Sequence, residues 1–249
     1  DSLWRVYSMT KPITGMAVMM LVEDGLLGLD QPVSDVLPAF ARPQVLIDPD
    51  RSLASREATR AITIRHLLTH SSGLGYSFLL KGPLLAEYRR LGILPLRASR
   101  RDDPFLGAFE PAPSLAAFAD RLATLPLLAD PGTRWLYGVG LDLLGRVIEV
   151  VSGRPFDIFL QQRLFDPLGM TSTSRGLRAD LNDRHVRPDM RGTVPIKHLS
   201  RNLPGDHALF EDPEVEAPHV GCASSVPDLS RFAEMLRRGG ELDGVRILA

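Results

Sequence analysis

The chain has 249 residues, of which 44% are apolar and 24% are charged, and its formal net charge is -1. This composition is typical of an ordinary globular protein and excludes intrinsic disorder as the default state. The balanced charge excludes a general attraction to nucleic acid or to an anionic membrane, and no apolar run approaches the roughly 20 residues that span a bilayer.

A buried helix is predicted from Met9 to Glu23, because apolar residues recur there at helical spacing, with Ser8 at its N-terminal end. Caps, turn residues and further apolar stripes predict seven later helices. They are expected over 30–37, Thr63–Leu68, Pro83–Leu91, Ser114–Leu122, Leu141–Val151, Pro155–Leu164 and Pro227–Arg238.

Strand signals are weaker than the helical ones. They fall near Ser172–Arg187, around Val220–Ser224 and from Val245 to the end of the sequence. Helices and strands do not alternate regularly, and no repeat of fixed period is present. The sequence therefore predicts a mixed α+β fold that is rich in helices.

Residues 1–249 are expected to form a single domain, because no internal linker is polar enough to separate two independent units. Within it, 75–130 is predicted to be a lobe of helices and loops that lines the substrate pocket. The chain opens with Asp1 and stops where a strand begins, so we expect part of the fold to lie outside these residues.

Cys222 is the only cysteine. It excludes an intrachain disulfide and any zinc site built from several thiolates. A single cysteine suits a reducing compartment and so favours the cytoplasm slightly, with a periplasmic location left open.

Ser8 and Lys11 stand three residues apart, which places both side chains on one face of a helix. A serine hydroxyl becomes a nucleophile when a neighbouring base takes its proton, and a neutral amine can do so. The same spacing is also typical of an N-cap serine followed by a solvent-facing lysine. Lysine is scarce in this chain, however, and only Lys11 follows a serine by three residues.

Tyr137 is a candidate general base, because it stands on a turn directly before the predicted helix Leu141–Val151. A phenol on such a turn can project into a cleft and exchange a proton there. An isolated tyrosine is more often packed at the edge of a core, and residues alone do not decide between the two.

Several ordered blocks resemble the serine β-lactamase-related family of SxxK hydrolases, and within it the family VIII carboxylesterases, which are relatives of class C β-lactamases and D-Ala-D-Ala carboxypeptidases. The blocks are Tyr7–Thr14, Leu67–Tyr76, Trp135–Gly153, Pro167–Met170, Gly221–Ser225 and Gly239–Gly244. The resemblance implies a β-lactamase/transpeptidase-like fold, in which an antiparallel sheet, incomplete in this chain, is flanked by helices.

The same resemblance implies roles for individual residues. Ser8 would be the acyl-forming nucleophile, Lys11 its proton acceptor and Tyr137 the base that activates water. The amide of Ser8 would supply one oxyanion-hole donor, and the other would come from a late strand with a Gly-rich or Lys-Thr-Gly-like box that we do not find in this sequence. No cofactor is implied.

Val139 departs from the β-lactamase pattern, which has an asparagine two residues after the tyrosine. An aliphatic side chain cannot hydrogen-bond the acylamide group of a β-lactam, so the departure favours small carboxylic esters as substrates. Gly138 and Tyr76 are further candidate substrate-binding residues. Cys222 and Ala223 also depart from the family pattern before Ser224.

Other readings of the residues stay open. The chain could instead be a β-lactamase or a D-Ala-D-Ala carboxypeptidase, or a non-catalytic relative that binds a ligand in an inherited cleft. The predicted partner is a small ester or β-lactam, with no nucleic acid, no membrane span and no defined oligomeric state.

Motifs of other enzyme classes are missing from the sequence. There is no Gly-x-Ser-x-Gly elbow, no His-Glu-x-x-His or Cys-x-x-Cys and no phosphate-binding loop. His66 and His70 have helical i, i+4 spacing but no third ligand in sequence, so we predict no metal site there. Within the resemblance, His70 belongs to a structural turn.

Overall fold

The computed structural model of the protein describes residues 2–93, 111–176, 178–186 and 221–249. The helices within these ranges are α1 Thr10–Glu23, α2 Ile64–Leu68, α3 Gly82–Arg90, α4 Leu115–Ala123, α5 Gly140–Ser152, α6 Phe156–Leu160 and α7 Val226–Arg237. The strands are β1 Leu3–Arg5, β2 Gln44–Leu46, β3 Ser55–Glu57, β4 Ser174–Arg175, β5 Cys222–Ser225, β6 Glu241–Leu242 and β7 Val245–Arg246. Both kinds of element confirm the mixed α+β prediction.

The sheet that carries the site is antiparallel and has the strand order β1-β5-β4. Trp4 of β1 lies opposite Ser224, and Ser174 of β4 lies opposite Ala223. The other four strands form two hairpins, β2 with β3 and β6 with β7. Strand β5 is central and fully buried, so the block around Cys222 has a structural place in the fold.

Helix α1 packs against α5, and both bury apolar faces in one continuous core. Ile13 and Ala17 of α1 and Leu144 and Ile148 of α5 have no exposed surface. Each large aliphatic side chain buried in this way contributes about 2 kcal/mol to folding. The two helices are therefore held firmly relative to each other.

Most predicted helices are confirmed within one or two residues, and their caps are the expected ones. Thr63 accepts a hydrogen bond from the His66 amide, and Ser114 accepts one from the Ala117 amide. Helix α5 ends at Gly153, whose φ of 66° suits a residue without a side chain. Local capping chemistry thus decides where these helices begin and end.

Two predictions were wrong in detail. The segment 30–37, predicted to be a helix, forms only a 3-10 turn at Val33–Asp35, and a second 3-10 turn follows at Pro38–Phe40. The helix does not continue because Pro38 forces the residue before it out of the helical conformation. The helix predicted from Pro155 is α-helical only to Leu160 and continues as a π-helical turn over Gln161–Phe165.

The predicted pocket lobe, 75–130, lies partly outside the described residues. Its described helices, α3 and α4, bury Leu84 and Phe118 in the same core as α1 and α5. No helix in the described part of the chain is both long and apolar enough to cross a membrane.

Asp228, in the first turn of α7, anchors the segment before β4. Its Oδ2 atom accepts hydrogen bonds from the Ser172 amide and from the Thr173 hydroxyl, both at 2.8 Å. The Thr173 hydroxyl also lies 2.7 Å from the Ser224 hydroxyl of β5. All four side chains are buried, so these bonds link α7 and β4 to the central strand.

Replacing Asp228 with alanine leaves the Ser172 amide and the Thr173 hydroxyl without this acceptor. We expect a loss of about 2–3 kcal/mol in the free energy of unfolding, because unsatisfied buried donors carry their full desolvation penalty. Urea unfolding followed by circular dichroism measures it. The control is Asp30→Ala, which breaks an exposed ion pair with Arg65. An equal loss in both variants would contradict the role given to Asp228.

Candidate active site

Ser8 lies on the 3-10 turn Tyr7–Met9, between β1 and the start of α1, and its side chain is exposed. The Val6 amide donates to the carbonyl of Cys222 at 3.0 Å, and the Cys222 amide donates to Thr10 Oγ1 at 3.1 Å. These bonds tie both sides of the turn to β5. The serine is therefore accessible to a substrate but fixed in position.

The residue next to Ser8 has a strained backbone conformation. Tyr7 has a φ of 44°, in the left-handed region, which costs a residue with a side chain about 1–2 kcal/mol. The paired strand on one side and α1 on the other maintain this conformation.

Lys11 and Tyr137 converge on the Ser8 hydroxyl. Ser8 Oγ lies 2.9 Å from Tyr137 Oη, and Lys11 Nζ lies 3.1 Å from Ser8 Oγ. Lys11 Nζ also lies 4.7 Å from the centroid of the Tyr137 ring. The three side chains that the sequence nominates for catalysis are thus in mutual contact, with two candidate proton acceptors on one hydroxyl.

Two helices begin at this place. Ser8 precedes α1 by two residues, and Tyr137 precedes α5 by three. The amino end of a helix carries a partial positive charge, so both helices favour negative charge that develops near the serine. An oxyanion formed by attack of Ser8 on a carbonyl group would lie in this field.

Aromatic rings surround Tyr137. The rings of His70, Tyr76 and Trp135 lie 4.7, 5.3 and 6.1 Å from it, centroid to centroid. Trp135 is 68% exposed, and Phe78, which contacts Tyr76, is also exposed. The surface beside the serine is therefore largely aromatic.

Tyr76 differs from Tyr137 in its environment. Burial raises the pKa of the Tyr76 phenol well above its usual range, and the negative charge of nearby Asp142 raises it further. Tyr76 consequently remains a neutral phenol at physiological pH. It can pack against a ligand or donate a hydrogen bond.

Gly138 and Val139, predicted to contact substrate, are both buried. A Cβ atom on Gly138 would lie 2.3 Å from the carbonyl oxygen of Leu74, so no larger residue fits. Val139 has no exposed surface and stands at the N-cap of α5. The expected substrate contact through the Val139 side chain therefore receives no support, and both residues shape the segment that carries Tyr137.

Cys222 offers no alternative nucleophile. The thiol is buried, and burial raises its pKa to about 12. The reactive form of cysteine is the thiolate. Cys222 is therefore a structural residue of β5.

His70 lies in the turn after α2, as the resemblance implied, and its ring also contacts that of Tyr137, which the sequence did not predict. Its Nδ1 atom accepts a hydrogen bond from the Gly138 amide at 3.4 Å. The only signal in the sequence was its position inside the recognisable block Leu67–Tyr76. Among the described residues, no group of three or more His, Cys, Asp or Glu side chains could hold a metal ion.

Comparison with known proteins adds named relatives. Lovastatin esterase of Penicillium rubens is 38% identical over 225 residues, covering 84% of this chain and 52% of that protein. Esterase EstB of Burkholderia gladioli is 42% identical over 170 residues, covering 68% of this chain and 38% of that protein. The solved structure of EstCE1, a hydrolase with promiscuous acyltransferase activity, matches with a TM-score of 0.68 and 25% identity, covering 99% of this chain and 61% of that one.

The chain spans about half the length of the curated relatives that it matches. The structural match confirms the β-lactamase/transpeptidase-like fold that the sequence blocks implied. The β-lactamase family model matches residues 1–248. The chain therefore belongs to the β-lactamase family.

Proposed function

We propose that the protein hydrolyses small carboxylic esters through an acyl-enzyme formed on Ser8. The observation that carries the proposal is the contact of one exposed serine hydroxyl with both Tyr137 Oη and Lys11 Nζ. A serine needs such a partner to act as a nucleophile, and a ligand-binding module has no use for the whole set.

In the first step, Ser8 Oγ attacks the carbonyl carbon of the ester. The hydroxyl proton passes to Lys11 or Tyr137, while the carbonyl oxygen takes the negative charge. The tetrahedral intermediate collapses as the bond to the alcohol oxygen breaks, and the departing alcohol takes up the proton.

In the second step, water attacks the acyl carbon of the Ser8 ester. Tyr137 Oη accepts a proton from this water because it lies next to the ester oxygen, which occupies the position of Ser8 Oγ. When the ester bond breaks, Ser8 Oγ recovers a proton and the carboxylic acid leaves. The same phenol thus serves both halves of the reaction.

Two observations support esters as the substrate class. Lovastatin esterase and Esterase EstB are both esterases by name. The exposed aromatic rings of Trp135 and Phe78 offer apolar contact to an acyl chain or an alcohol.

β-Lactam hydrolysis is the second candidate, favoured by the match of the β-lactamase family model over nearly the whole chain. It would use the same serine, amine and phenol, because both substrate classes are carbonyl compounds opened through an acyl-enzyme. Position 139 argues against it, because its side chain is aliphatic and buried in the core and so offers no hydrogen bond to an acylamide group.

Replacing Ser8 with alanine removes the nucleophile. We expect the full-length protein to lose about 1,000-fold or more in kcat/KM for p-nitrophenyl butyrate, and to lose labelling by a fluorophosphonate probe. Ser230→Ala, on the exposed face of α7, is the matched control and retains both. Labelling of Ser8→Ala at the wild-type rate would refute the assignment.

Replacing Tyr137 with phenylalanine removes one oxygen and keeps the ring. We expect kcat to fall about 100-fold or more, because general acid–base groups contribute factors of that size. Tyr88→Phe is the control: it removes a buried hydroxyl that accepts a hydrogen bond from the Gly75 amide, and it should lower thermal stability while kcat is kept. Unchanged ester turnover in Tyr137→Phe would remove this residue from the mechanism.

Ester and β-lactam activity are separated by one comparison. We expect kcat/KM for p-nitrophenyl acetate and butyrate to exceed that for nitrocefin by about 100-fold or more, since a missing hydrogen-bond partner for the acylamide weakens the transition state. Steady-state absorbance assays with the same preparation measure all three. A nitrocefin value above both ester values would make β-lactam hydrolysis the better description.

A further inference from the structure

We propose that His70 is a positioning residue, which holds the catalytic phenol of Tyr137 against Ser8 by fixing the peptide amides on both sides of it. This inference rests on the proposed function, because it assigns a task in the same reaction.

His70 receives hydrogen bonds from the residues that flank Tyr137. The Leu136 amide donates to the His70 carbonyl oxygen at 2.7 Å, and the Gly138 amide donates to His70 Nδ1 at 3.4 Å. Main chain and side chain of one residue thus hold the segment immediately before and immediately after the phenol. Tyr137 lies outside any helix or strand, so its position depends on bonds of this kind.

The imidazole also contacts the phenol ring. The two ring centroids are 4.7 Å apart, with an angle of 37° between the planes. The Trp135 ring lies 6.0 Å from the imidazole on an edge. The His70 side chain therefore restricts the Tyr137 ring directly as well as through the backbone.

The backbone of His70 adopts a conformation that few residue types tolerate. Its φ of 54° lies in the left-handed region, which histidine, asparagine and aspartate tolerate better than most residues. The turn directs the carbonyl to Leu136 and the side chain to Gly138, a residue 68 positions away. The left-handed backbone is needed for the bond to the Leu136 amide, and an acceptor at Nδ1 is needed for the bond to the Gly138 amide.

The reaction is sensitive to small movements of the phenol. Tyr137 Oη lies 2.9 Å from Ser8 Oγ, and a displacement of about 1 Å can cost about 100-fold in rate. Losing the Nδ1 acceptor would free the Gly138 peptide and the Tyr137 ring together. The effect is expected on turnover more than on substrate affinity.

His66, which lies in α2 four residues before His70, provides a natural control. Its Nδ1 atom accepts a hydrogen bond from the Thr63 amide at 3.2 Å, which completes the cap of α2. No contact joins His66 to Tyr137 among the bonds of the described residues. Loss of His66 therefore weakens the fold without releasing the phenol.

The test compares His70→Gly with His70→Asn in the full-length protein. Both residues accept the left-handed backbone, and both remove the imidazole ring, but asparagine places an oxygen close to the position of Nδ1. We expect His70→Gly to lower kcat for p-nitrophenyl butyrate by about tenfold to 100-fold without raising KM. We expect His70→Asn to recover at least half of this loss on a logarithmic scale. His66→Ala lowers the melting temperature and keeps kcat.

Three outcomes overturn the inference: wild-type kcat in His70→Gly, equal kcat in His70→Gly and His70→Asn, or an equal fall of kcat in His66→Ala. All rates are measured about 15 °C or more below the lowest melting temperature among the wild type and the variants, so that every protein in the comparison is folded. A wild-type protein no faster than Ser8→Ala would overturn the proposed function instead, and the inference with it.

Discussion

The packing of α1 against α5 is the interaction on which the site depends. Ser8 and Tyr137 are 129 positions apart in the sequence, and each stands just before one of these helices. Because the two helices share one apolar core, their amino ends stay next to each other, and the two hydroxyl groups meet at hydrogen-bonding distance. The apolar residues of the core thus determine the chemistry at its edge.

Ser8 and Tyr137 lie on irregular segments that rigid elements support, while Lys11 lies in the first turn of α1. Binding and catalytic groups are often found on such segments, because a rigid scaffold holds them while leaving them exposed. Two of the segments contain a left-handed residue with a side chain, Tyr7 beside the nucleophile and His70 beside the phenol. Hydrogen bonds from β5 and from Leu136 and Gly138 offset the cost of these conformations.

The features that could be predicted from the sequence are those that depend on contacts between residues close together in the chain. Helix caps at Thr63 and Ser114 and the spacing of Ser8 and Lys11 could be predicted, because each involves residues three or four positions apart. Strands β1, β2 and β3 were missed, since a strand of three residues is too short to show an alternating pattern. Tyr137 was a candidate base from its turn before a helix, but only the resemblance to a family joined it to Ser8, because no local pattern connects the two.

The sequence did not predict which side chains near Tyr137 are buried and which contact its ring. Val139 follows the tyrosine by two residues and was expected to contact the substrate. Tertiary packing instead buries its side chain in the core. His70 showed the reverse: a residue placed in a structural turn contacts the phenol through bonds to a segment 68 residues away. The burial of Val139 and the contact of His70 with the phenol have one cause, since the direction of a side chain is set by partners distant in sequence.

A single phenol next to the nucleophile has a further consequence for the reaction. In the proposed reaction, acylation and deacylation both move a proton at the position of Ser8 Oγ, which Tyr137 Oη faces beside Lys11 Nζ. Any residue that shifts the phenol therefore changes both barriers together, whereas a residue on the outer aromatic surface changes only how a substrate is held. The proposed mechanism consequently assigns rate and specificity to different side chains, the first to the inner contacts of Tyr137 and the second to exposed rings such as Trp135 and Phe78.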